Sequence, residues 1–132
     1  MSTEENKAIV RRYLGALSGK EKPATLVREF VADSDEALRQ HITAMEAAFP
    51  RYELIAEDMI AEGDKVVVRA TVRGTHRGEL MGIPPTGKEV SAGGILIYRI
   101  TGAKIVEHWM QFDDLGTLQQ LGAIPTPGQP AS

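Results

Sequence analysis

Apolar positions repeat with a helical period over the first part of the chain and with a period of two after it. Ile9, Val10, Tyr13, Leu14 and Leu17 form one stripe, preceded by the capping-box signature Ser2-Thr3-Glu4-Glu5 and stopped at Gly19, which predicts an amphipathic first helix. Pro23, suited to the first position of a helix, leads into Leu26, Val27, Phe30 and Val31 and predicts a short second one. Asp33-Ser34-Asp35-Glu36 is another capping arrangement. Leu38, Ile42, Met45 and Phe49 follow it at i, i+4, i+7 and i+11 until Pro50 ends a third helix. From Arg51 the period changes. Strands are expected over 52–61 and 65–75, joined by Glu62-Gly63-Asp64, and over 89–101 and 104–112, joined by Gly102-Ala103. Helices first and strands second specify an α+β fold, with the N-terminal helices packed on a mainly antiparallel sheet.

The last strand carries the most suggestive chemistry. Alternation places Ile105, Glu107, Trp109, Gln111 and Asp113 on one face and Val106, His108, Met110 and Phe112 on the other. A carboxylate therefore stands at a strand end, on the tryptophan side. If that face looks into an apolar cavity, burial would disfavour the charged form of Asp113, as a general acid/base working near neutrality requires. The alternative is structural: aspartate is a preferred N-cap, and Asp113 or Asp114 would cap the short helix that follows. His41 sits roughly 60° from the centre of the third helix's stripe, where it either reaches a cavity or is simply a packed or solvated residue. Strands three and four are apolar on both faces, so the outer face is expected to pair with a second copy through His108, Met110 and Phe112.

One motif falls away on its chemistry. Gly82-Ile83-Pro84-Pro85-Thr86-Gly87-Lys88 has the spacing of a phosphate-binding loop, but Glu89 replaces the Ser or Thr that ligates magnesium. Pro84 and Pro85 also lack the N–H donors that would cradle phosphate. Met81, Ile83 and Pro84 instead form either an apolar lip over a cavity or a plain surface turn.

Composition narrows the function classes. A chain of 132 residues, 42% apolar and 25% charged, makes one ordinary domain, read as 1–123. Residues 124–132 hold three of the seven prolines and no periodic pattern, and are expected to form a mobile tail. The net charge of −3 supplies no basic footprint for nucleic acid or an anionic membrane. No apolar run approaches the ~20 residues of a membrane span, and the acidic start is unlike a signal peptide, so a cytoplasmic location is expected. Cysteine is absent, which excludes disulfides and thiolate metal sites. His41, His76 and His108 show no ligand spacing, so no metal is expected.

Taken together, Arg69-Ala-Thr-Val-Arg-Gly-Thr-His-Arg-Gly78, the Gly82-to-Lys88 loop, Glu107-His-Trp-Met-Gln-Phe-Asp-Asp-Leu-Gly116 and Gln119-Gln-Leu-Gly122 resemble the SnoaL-like polyketide cyclase, or ester cyclase, family. The resemblance implies a cone-shaped α+β barrel like that of ketosteroid isomerase, closed around an apolar pocket and assembled as a homodimer. It implies cofactor-independent ring closure of an apolar, carbonyl-bearing substrate such as a polyketide ester, by an intramolecular aldol step. The aspartate of the Trp-x-x-x-Asp motif, matched here by Asp113, is then the acid/base. Gln111 and His41 are the candidates to polarise the substrate carbonyl. Trp109, Met45, Phe49, Tyr13, Met81 and Ile83 are assigned to substrate binding. Two other readings stay open: a binding module of the same fold without catalysis, and an epoxide-hydrolase-like enzyme in which Asp58 supplements Asp113.

Overall fold

A computed structural model describes residues 2–124 of the chain. Three helices come first: α1 (Thr3–Leu17), α2 (Ala24–Phe30) and α3 (Glu36–Ala48). Strands β1 (Glu53–Glu62), β2 (Lys65–Thr75), β3 (Glu89–Thr101) and β4 (Lys104–Phe112) follow, and a last helix, α4 (Asp114–Gln120), ends the domain. Apart from Ile124, the expected tail lies outside the described residues.

Local sequence explains the boundaries. The Ser2 hydroxyl accepts the Glu5 N–H at 3.1 Å while the Glu5 carboxylate reaches back to the Ser2 N–H, the reciprocal capping box expected for α1. Pro23 is the N-cap of α2 and not its first helical residue, its carbonyl accepting from Leu26 and Val27. Asp35 caps α3 by accepting the Leu38 N–H at 3.1 Å.

The strands form one antiparallel sheet in the order β1-β2-β3-β4. Its concave face carries Val66, Val68 and Ala70 of β2 and Leu96, Tyr98 and Ile100 of β3. These pack against Ile9, Val10 and Tyr13 of α1 and Leu38 and Ile42 of α3, which gives a two-layer α+β architecture with a single principal core. Among the described residues no helix is long and apolar enough to cross a membrane.

Two register shifts curve the sheet and correct the expected facing of β4. In β1 the ladder slips between Ala56 and Asp58, and in the β3–β4 pair Arg99 faces Glu107 whereas Ile100 faces Ile105, so Val106 is an extra residue. The phase of alternation changes across that bulge. Ile105 is fully buried, yet Trp109, of the same parity by count, lies outside at 41% exposure. Its ring there is flanked by Lys65 and Arg99, each cation 5.5 Å from the centroid. Met110 and Phe112, expected outside, pack on the core instead. Gly94 makes room for this, since a Cβ there would run into the Phe112 ring.

Candidate functional site

A cavity of about 340 Å³ lies between the helices and the concave face of the sheet. Its wall is mostly apolar. Tyr13 comes from α1, Leu38, Ile42 and Met45 from α3, Phe49 from its C-cap, Leu96 and Tyr98 from β3, and Met110 and Phe112 from β4. Volume and lining fit a site for a small apolar molecule.

The exposed lining residues mark where the cavity opens to solvent. They are His41, Arg73, Met81, Gln111 and Asp114, so every strongly polar exposed group except Arg73 gathers near the start of α4 or on the adjoining turn of α3. The Arg73 guanidinium is turned to Glu53, at 3.2 Å. Desolvation lowers the pKa of His41, the nearby His108 adds to the shift, and Asp114 opposes it. At neutral pH the His41 ring is therefore uncharged, with one nitrogen able to donate and the other to accept.

Asp113 is the N-cap of α4. One carboxylate oxygen accepts the Gly116 N–H at 2.8 Å, and the residue is exposed beside the mouth, not part of the cavity wall. A Cβ on Gly116 would run into that carboxylate, so the glycine of the Asp-Asp-Leu-Gly sequence is what lets the cap close.

The structure thus brings Tyr13, His41, Met45, Phe49 and Met81 to one cavity; Gln111 borders it but stands opposite outward-facing Ile95, so its side chain turns to the outer face, and Asp113, Trp109 and Ile83 lie outside the wall. Trp109 is outside the sheet because of the bulge at Val106. Ile83 pairs with Leu80 in a tight turn and packs on the minor apolar cluster around Phe49 and Val90, while Leu80 and Met81 reach the cavity. Asp58 follows the β1 bulge and is exposed, its carboxylate accepting the N–H of Met59, so it does not supplement a hydrolytic centre. Lys88 leads into β3 and no helix begins there, in keeping with the rejected phosphate loop.

Two histidine arrangements were not legible from spacing. His108 Nδ1 lies 2.7 Å from Asp35 Oδ2, and the Asp35 side chain is only 5% exposed, so one buried carboxylate both caps α3 and holds β4. The capping signature at Asp33 to Glu36 hinted at the first role; nothing local announced the second. His76 is fully buried, and its Nδ1 accepts the Thr86 N–H at 3.2 Å, pinning the loop that carries Leu80 and Met81 to the mouth. Among the described residues no group of His, Asp or Glu has the geometry to hold a metal ion.

With this geometry in place, comparison with known proteins is informative. A family model described as SnoaL-like polyketide cyclase matches residues 22–121. The aklanonic acid methyl ester cyclase DnrD of Streptomyces peucetius is 36% identical over 94 residues, covering 70% of this chain but 65% of DnrD, just under two thirds of its length. The nogalonic acid methyl ester cyclase of Streptomyces nogalater is 34% identical over 103 residues, covering 76% and 75%. Among solved structures, AclR from Streptomyces galilaeus, described as a candidate hydroxylase, superposes with a TM-score of 0.81 at 29% identity, covering 95% of this chain and 85% of AclR.

Proposed function

Because this chain belongs to the SnoaL-like polyketide cyclase family, we propose that it closes a ring in an apolar, carbonyl-bearing small molecule of the polyketide-ester kind, by acid/base chemistry without a cofactor. The observation that carries the reading is a mostly apolar cavity of about 340 Å³ with His41 and Asp114 where it opens, beside Asp113. In this reading the Asp113 carboxylate takes a proton from the carbon next to a carbonyl, and the electrons of that C–H bond pass to the carbonyl oxygen. The neutral His41 at the mouth holds the resulting enolate by a hydrogen bond. The enolate carbon then attacks a second carbonyl of the same molecule, a C–C bond forms, and the new alkoxide recovers the proton from Asp113. Product and substrate have the same mass.

The substrates named for the two cyclases, aklanonic and nogalonic acid methyl esters, are the first compounds to try. Turnover should give a product of unchanged mass in which carbon-13 NMR shows one ketone carbon lost and one carbinol carbon gained. Tight binding of such esters with no conversion would favour the non-catalytic binding module.

The outer face of the sheet supports a homodimer, though through other residues than expected. Strand register lines up Ile60, Val67, Ile97 and Trp109 across all strands, with Ile95 beside them. Ile60 and Trp109 are 63% and 41% exposed, an apolar row that a second copy would cover. Multi-angle light scattering should report a dimer at micromolar concentration, and Ile97→Lys, which puts a charge mid-row, should yield a folded monomer. A monomeric parent protein would sink the idea.

A further inference from the structure

All the tyrosines of the chain, Tyr13, Tyr52 and Tyr98, stand in the wall of the cavity. They arrive from α1, from the turn before β1 and from β3, and their exposures are only 2%, 6% and 0%. The Tyr13 and Tyr98 rings meet edge to face with centroids 5.6 Å apart, and their hydroxyls interact with one another. That contact falls short of a well-formed hydrogen bond: the buried Tyr98 hydroxyl has no partner of good geometry among the described residues. Buried O–H groups without an acceptor are uncommon because desolvating them is unfavourable. A cluster of phenols in an otherwise apolar wall is therefore a feature that calls for an acceptor.

The cluster is set back from the mouth. Gln111 faces Ile95 across the β3–β4 ladder, and Tyr98 lies three residues farther along β3, roughly 10 Å away at strand rise. The cavity thus has polar groups at two places, with apolar wall from Leu96, Met110 and Phe112 between them.

We propose that the Tyr13–Tyr98 pair, with Tyr52 beside it, is an anchoring subsite for a second oxygen of the ligand, a ketone or phenol oxygen remote from the reacting carbon. The inference rests on the cyclase reading for which carbon reacts, but not for the binding itself. Both hydroxyls donate to the ligand oxygen, and Tyr98 thereby gains the acceptor it lacks among the described residues. Burial pushes all of these phenols above their ordinary pKa, so they stay protonated donors across the physiological range. A site built to donate discriminates against an analogue that has no acceptor.

The test uses 2-acetylnaphthalene and its hydrocarbon counterpart 2-isopropylnaphthalene, titrated into the parent protein and into Tyr13→Phe and Tyr98→Phe. Each substitution should weaken the ketone about tenfold and leave the hydrocarbon unchanged. The bound ketone's carbonyl stretch should lie at lower frequency in the parent protein and return toward its free value in Tyr13→Phe. Tyr98→Phe removes a hydroxyl without a well-formed partner, so its melting temperature should not fall, which keeps the binding result interpretable. Equal weakening of both probes, or an unaltered ketone affinity, overturns the subsite while leaving the cyclase reading standing. Failure of the parent protein to bind either probe overturns the subsite and the open apolar pocket together.

Discussion

Asp113→Asn should lower turnover of any substrate the protein cyclises by about 10²–10⁴, the usual contribution of a positioned acid/base, while the fold persists. The two halves of this expectation come from different atoms. The oxygen that accepts the Gly116 N–H at 2.8 Å is retained in asparagine, which caps helices as well as aspartate does, so α4 should keep its start. What asparagine cannot do is accept a proton from carbon and return it to an alkoxide. Asp114→Asn is the necessary companion, because Asp114 itself lines the cavity. If the Asp114 variant loses the rate and the Asp113 variant keeps it, the acid/base is one residue further on. Initial rates together with thermal melts of both variants decide the matter.

The order and limits of the elements were readable because each is specified within a few residues. The Ser2–Glu5 capping box, the Asp35 cap, and the turns after Glu62 and Thr101 are local events, and β2, β3 and β4 fall on the expected ranges. Which face of β4 looks inward was not local. A single extra residue at Val106, visible only in the pairing with β3, reverses the alternation and sends Trp109 out and Met110 and Phe112 in. The cavity residues on helices, Tyr13, His41, Met45 and Phe49, were found because helical period survives without knowledge of partners. Ile83 was misplaced for the opposite reason: the turn it makes with Leu80 decides which side chains of the loop reach the cavity. The Asp35–His108 contact joins residues 73 apart in sequence, on elements whose packing no spacing rule gives.

That contact has the largest expected effect on stability. Asp35→Ala should cost about 2–4 kcal/mol in urea denaturation: roughly 1 for the lost cap of α3, and the rest for leaving the mostly buried His108 without its partner. Asp35→Ser separates these parts. Serine still caps, but its hydroxyl is too short to serve Leu38 and His108 together, so the serine variant should recover the first part only. A cycle with His108→Gln should give a coupling energy of about 0.5–3 kcal/mol if the 2.7 Å contact is energetic, and near zero if Asp35 acts only as a cap. The position of the pair gives the result reach beyond stability. His108 stands opposite Tyr98 in the β3–β4 register, and the charge of Asp35 is felt by both Tyr13 and Tyr98. A strong coupling would therefore mean that one buried carboxylate fixes the first turn of α3, the inward side of β4 and the surroundings of the cavity's phenols at once, so that Asp35→Ser should also weaken the ketone probe relative to the hydrocarbon.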